Sequence, residues 1–192
     1  MPVQAASRVA LKEWAIVTWA LEQGRQVLLL RKGGIADRGG VFEVMHGEFA
    51  LYPTFLHQEK RYLRPEFHAE LDRIVAESRM DRVRVTSYAV VEAVVEVRGP
   101  EALRKLDPYH VWTPAYLDLR FAYKATHPLY ILLLRTYRLP RPVEFVETKA
   151  YAGCKSWVTL DFEIGTQGAI PVLTETEMRD RIETVRSILQ LS

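Results

Sequence analysis

Apolar residues recur along this chain at helical spacing in some stretches and in short continuous or alternating runs in others, and the switches between them mark out its elements. Ala10, Trp14, Val17 and Leu21 share one face at helical spacing, with Lys12, Glu13 and Glu22 off it. That predicts a helix over residues 8–23, stopped by Gly24. Val27-Leu28-Leu29-Leu30 is too short for a helix and reads as a buried strand ahead of Arg31-Lys32-Gly33-Gly34. A glycine-rich loop reaching Gly39-Gly40 leads into strands over Val41–Met45 and Phe49–Tyr52, with Pro53 ending the second. Residues 53–65 look irregular, and Phe67, Leu71, Ile74 and Val75 give residues 66–78 an apolar helical face. The β-branched density of residues 82–97 predicts a long or bent strand.

Gly99-Pro100 opens a short helix that Asp107-Pro108 closes, and Thr113-Pro114 predicts an N-cap with proline at the first helical position of a helix to Tyr123. Leu129 to Tyr137 is the strongest strand pattern. Beyond a break at Pro140 and Pro142 come strands over residues 144–147 and 157–162. Thr174 and Glu177 form a capping box for a last helix with the stripe Met178, Ile182, Val185 and Leu189. Helices are inserted among strands without regular alternation, which predicts α+β with a curved mixed or antiparallel sheet. No linker-like composition divides residues 1–192, so a single domain is expected, with the sheet core in 1–165 and the C-terminal amphipathic helix in 174–190.

Composition narrows the function classes. The chain has 192 residues, 48% hydrophobic and 26% charged, with a formal net charge of +2. That is ordinary globular composition, long enough for a core without staples. The lone cysteine, Cys154, excludes an internal disulfide and a multi-cysteine zinc site. No apolar run reaches the ~20 residues of a membrane-spanning helix, and the N-terminus lacks the apolar block of a signal peptide, so a cytoplasmic protein with no membrane partner is expected.

Five features carry candidate chemistry. Arg31-Lys32-Gly33-Gly34 through Arg38-Gly39-Gly40 is a turn between strands or the rim of an anion site, without a Walker or GxGxxG pattern. Tyr52, Thr54, His57 and Gln58 crowd a strand exit, a position suited to a binding cleft. His46 and His57 are weak metal candidates, since nothing at diagnostic spacing joins them. Glu147-Thr148-Lys149 spells the E-x-K of metal-dependent nucleases, with Asp118 and Glu92 as possible partner acids and Mg²⁺ as the cofactor under that reading alone. Between Arg120 and Lys155, cations including Lys124 and Arg135 interleave with Tyr123, Tyr130, Tyr137, Tyr151 and Trp157. This is the recipe for a nucleic-acid surface, or else a run of core aromatics with solvated neighbours. Cys154 beside Lys155 has no nearby histidine and reads as packing rather than a nucleophile.

Ala10-Leu-Lys-Glu-Trp14, Leu30-Arg-Lys-Gly-Gly-Ile35, His46 through Gln58, Leu132 through Pro140 and Gly153-Cys-Lys-Ser-Trp157 together resemble the bacterial family domain-of-unknown-function 1802. The order of elements is more weakly similar to the ASCH branch of the PUA-like superfamily, helix-decorated β-barrels that bind RNA or modified nucleotides. Trp14 precedes a strand on which Gly24 and Arg31 match that branch's G-x-K-x-x-E-x-R, while Gln26 and Leu29 replace its lysine and glutamate. Those departures fall on residues tied to catalysis in some relatives. The resemblance implies a PUA-like barrel with Arg31, Lys32, Thr54, His57 and Gln58 at one cleft and Lys155 and Trp157 at its edge; Tyr52 of the strand exit and Arg135 of the basic stretch complete the candidate binding residues. It makes RNA, single-stranded DNA or a nucleotide the expected partner, with no resident cofactor. A nuclease built on Glu147 and Lys149, and a non-catalytic interaction protein docking through its final helix, are the alternatives. A homodimer is possible under any of them.

Overall fold

The first apolar run, helical by its spacing, divides into a strand and a helix. The protein is described here by a computed structural model that covers residues 5–32, 35–38, 41–79, 81–97, 99–153 and 155–189. Strand β1 is Ala6–Trp14 and helix α1 is Ala15–Glu22. Ala10 and Leu11, on opposite faces of β1, are both fully buried. A strand covered on both sides loses the alternation that would have distinguished it from a helix.

The remaining elements are β2 (Leu28–Arg31), β3 (Ile35–Arg38), β4 (Val41–Val44), β5 (Glu48–Thr54), α2 (His68–Glu77), β6 (Arg82–Val97), α3 (Pro100–Arg104), α4 (Pro114–Ala122), β7 (Leu129–Val146), β8 (Trp157–Gly165), β9 (Ile170–Pro171) and α5 (Glu175–Ile188). Seven strands form one sheet in the order β2-β7-β6-β5-β1-β8, with β9 beside β7. Among the described strands only β1 and β5 run parallel. The sheet is mixed, as expected, but β2 and β8 do not pair, so it is not a closed barrel. β4 lies where a strand was expected, and β3, inside the expected glycine-rich loop, pairs it to form a separate antiparallel ribbon. Gly33, Gly34, Gly39 and Gly40 lie outside the described residues.

Three further expectations change. β5 continues through Pro53 to Thr54, because there it pairs β1, in the register Glu13 to Pro53. The break at Pro140 and Pro142 is a register shift inside β7: Val143 faces Val85 of β6, while Arg138 faces Ser87. Prolines, lacking an N–H, are tolerated where the ladder is interrupted. Thr113 holds the N-cap position of α4 ahead of Pro114, as expected, but its side chain makes no capping hydrogen bond; the hydroxyl donates instead to the Arg61 carbonyl at 3.2 Å. The capping box of α5 forms as the sequence specifies.

The main apolar core gathers side chains of helices α1 to α5 with Phe49, Leu132 and Trp112. A smaller, separate core surrounds Tyr52, Tyr88, Val158 and Leu160. Met178 and Val185 of α5 are buried, with Ile182 and Leu189 packed beside them, so its apolar stripe is consumed by the fold and is not an open docking face. Among the described residues no helix is long and apolar enough to cross a membrane.

Candidate functional site

The parallel β1/β5 pair ends with Trp14 opposite Thr54, so both strands deliver their last side chains to one end of the sheet. β8 begins there too, with Leu11 paired to Trp157 and the Lys12 N–H donating to the Ser156 carbonyl at 2.8 Å. β2 arrives with Arg31, and α4 lies across the gap. Between them opens a cleft of about 810 Å³, whose lining includes Glu13, Trp14, Arg31, Lys32, Thr54, His57, Tyr116, Arg120, Lys155 and Trp157.

Its floor is ionic. The Arg31 guanidinium stands 3.6 Å from the Glu13 carboxylate, and both side chains are 11% exposed. Glu13 also accepts the Trp14 N–H at 2.9 Å. Arg120 adds a second guanidinium, which reaches the Leu30 carbonyl at 3.4 Å while its Nε is buried without a partner. Burial raises the Glu13 carboxyl above its ordinary range, against the pull of Arg31. Burial likewise lowers Arg31, against the pull of Glu13. The pair is thus desolvated more than it is satisfied, a state that costs stability and is concentrated at binding sites.

The walls are aromatic. Trp14 and Tyr116 meet with ring centroids 4.7 Å apart, Tyr62 lies 5.7 Å from Tyr116, and Trp112 stacks beneath Tyr116 at 5.6 Å. Burial pushes the Tyr116 hydroxyl up, keeping it protonated. Trp157 closes the other side, held edge-on by Phe49 and His46. The rim is basic. Lys32, Lys124 and Lys155 stand there, and burial together with Arg120 lowers Lys32. Among the described residues Glu59 is the one acid on the rim, and Arg61 binds it at 2.9 Å.

The structure brings six of the nine predicted ligand-binding residues to the cleft: Arg31, Lys32, Thr54, His57, Lys155 and Trp157. His57 takes a left-handed φ of 59°, strained for a residue with a side chain, so the turn after Thr54 is held by its surroundings. Gln58 supplies part of that hold from outside the lining. Its Oε1 accepts the Ile16 N–H at 3.0 Å and caps the start of α1. Tyr52 is buried, and its hydroxyl donates to Glu147 at 2.8 Å. Arg135 sits between Glu92 and Glu175 on the sheet's flank, with Nε 2.7 Å from Glu92. His46 packs against Trp157 rather than lining the cleft.

The basic–aromatic stretch divides in the same way. Tyr130 and Tyr151 are buried, whereas Arg120, Tyr123, Lys124, Lys155 and Trp157 reach the cleft.

Residues absent from the sequence-based site are Lys12, Glu13, Trp14 and Tyr116. The signal lay in Lys-Glu-Trp, a polar cluster at what proves to be a strand end. Assigned to a helix, Lys12 and Glu13 read as its solvated side and Trp14 as part of its apolar face.

The nuclease pattern is spread apart. Glu147, just beyond β7, accepts from Lys12 Nζ at 3.0 Å as well as from Tyr52. Burial raises its carboxyl, but these hydrogen bonds and the Lys12 charge outweigh it and hold the group below its ordinary range. Lys149 is exposed, Asp118 pairs Arg104 at 2.8 Å, and Glu92 pairs Arg135. Among the described residues, no group of three or more His, Cys, Asp or Glu is arranged to hold a metal ion.

Comparison with solved structures finds the ASCH protein of Zymomonas mobilis, at 12% identity and a TM-score of 0.42 over 91% of this chain and 93% of that one. Two mutant forms of the same protein match at 11% identity, with TM-scores of 0.45 and 0.43, covering 91% and 95% of this chain and 96% and 99% of theirs. No curated protein matches. The family model described as "Domain of unknown function (DUF1802)" matches residues 10–184, a span that holds every wall, floor and rim residue of the cleft, and the chain belongs to that family.

Proposed function

We propose that the cleft binds an unstacked base of a single-stranded nucleic acid or a nucleotide, with phosphate held at the basic rim. The observation that carries this is the floor: a carboxylate and two guanidiniums, buried and incompletely paired, between aromatic walls. A base presents hydrogen-bond donors and acceptors along one edge, which complement Glu13 and the arginines, and its π-face complements Trp14, Tyr116 and Trp157. Lys32, Lys124 and Lys155 supply the charge for phosphate. The same partner class is what the sequence resemblance to the ASCH branch implies.

Fluorescence anisotropy with short labelled RNA and DNA homopolymers, across a salt series, tests the reading. Three phosphate contacts correspond to a slope of roughly −2 in log affinity against log salt, hence about a twentyfold loss between about 50 and 200 mM. Absence of binding to every homopolymer at low salt overturns it.

A further inference from the structure

Beside the cleft, the turn after α4 presents an exposed aromatic ring among cations. Tyr123 is 51% exposed, and Leu119 and Leu56, also among the most exposed large apolar side chains, lie on the same mouth. The Lys124 ammonium lies 5.5 Å from the Tyr123 ring and the Arg120 guanidinium 5.8 Å from it. The turn itself is fixed. Lys32, at the end of β2, donates to the Phe121 carbonyl at 2.6 Å and to the Lys124 carbonyl at 3.4 Å, tying the C-terminal end of α4 to the sheet. Lys124 takes a left-handed φ of 45° within that arrangement.

An exposed tyrosine costs the free protein apolar hydration, and a tied turn has already given up the entropy that binding would otherwise demand. The two together describe a preformed platform rather than a loose loop.

We propose that this turn is the subsite for a second nucleotide: the ligand is a strand that continues past the cleft, and its next base stacks on Tyr123. The phosphodiester between the two nucleotides then passes the Lys124 ammonium. Lys32 acts as a positioning residue, since two of its three donors are spent on the turn. Ring stacking is indifferent to sugar type, so the subsite accepts RNA and DNA alike. The inference rests on the base-binding reading of the cleft.

The test is the ratio of affinities for a dinucleotide and a mononucleotide, measured by competition against a labelled oligonucleotide in separate RNA and DNA arms. The expected ratio is about tenfold or more in the unsubstituted protein. It falls to near one in Tyr123→Ala, stays at its original value in Tyr123→Phe, and is reduced in Lys32→Met. A ratio near one in the unsubstituted protein, or one untouched by Tyr123→Ala, overturns the second subsite and leaves the cleft reading standing. No competition by either ligand, with no binding of the labelled oligonucleotide, overturns both. Thermal unfolding of each variant separates lost stacking from lost fold.

Discussion

Two charge triads of this molecule are mirror images of one another. On the flank of the sheet, one guanidinium, Arg135, lies between two carboxylates, Glu92 and Glu175, with both partners at hydrogen-bonding distance. At the cleft floor, one carboxylate, Glu13, lies among two guanidiniums, and its contact to Arg31 is 3.6 Å. The hydrogen bonds from Arg135 raise its own affinity for its proton, with that to Glu175 contributing most. In the floor triad, burial pushes Glu13 and Arg31 alike toward their neutral forms. The first triad is satisfied and holds α5 to the sheet. The second is unsatisfied and faces an open cleft. An ion pair is therefore read by whether its hydrogen-bonding capacity is filled, not by its charges.

The largest expected effect concerns the support of the aromatic wall. His110 is buried beside Trp112, its Nε2 has no partner, and burial lowers its pKa to about 4, with Asp107 opposing and Arg64 assisting. A histidine depressed in the folded state stabilises fully above its unfolded value and loses that contribution as pH falls toward the folded one. Urea unfolding from pH 7 to 4 should thus show a decline of about 3 kcal/mol beginning near 6.5, and His110→Gln should flatten it. An equal decline in the variant assigns the acid sensitivity elsewhere, to the flank triad included.

Next in size, Arg135→Met should lower unfolding stability by about 2 kcal/mol, since it leaves two carboxylates without their donor. Nucleotide affinity should stay within about twofold, since the residue lies outside the cleft. A larger loss of affinity would return Arg135 to the binding surface.

The smallest effect on stability has the opposite sign. Glu13 is raised above its ordinary value, so neutralising it favours the folded state. Glu13→Gln should slightly raise the thermal midpoint at neutral pH, and the gain should shrink on acidification as Glu13 itself takes up a proton. The same substitution should weaken nucleotide binding roughly tenfold through loss of a charged acceptor. A variant that is both less stable and equally tight in binding would erase the distinction between the triads.

Much of this architecture was legible in the residues. The long β6 strand, the helix α2 and the α5 capping box follow from local pattern, and six of the residues that line the cleft are among those the family resemblance pointed to. What was not legible depends on neighbours far away in sequence. β1 read as helix because burial on both faces erased its alternation, and that single error hid Lys12, Glu13 and Trp14. Tyr52 and Gln58 were correctly seen as crowded at a strand exit. Their side chains, however, point at Glu147 and at the first turn of α1, directions that only packing decides. Gln26, where the ASCH pattern has lysine, is consumed as a buried staple, donating to the Leu28 carbonyl at 2.7 Å and accepting the Val111 N–H at 3.1 Å. Pro140 and Pro142 signalled an interruption of the ladder, and the strand absorbs it without ending.

The union of β1 with β8 has a kinetic consequence. Lys12 and Glu147 meet although they stand 135 positions apart in the chain, and β8, which completes the cleft, pairs β1 across a comparable span. Loop closure on that scale is slow and comes late in folding. Every form of the chain that stops before Trp157 therefore lacks a side of the pocket.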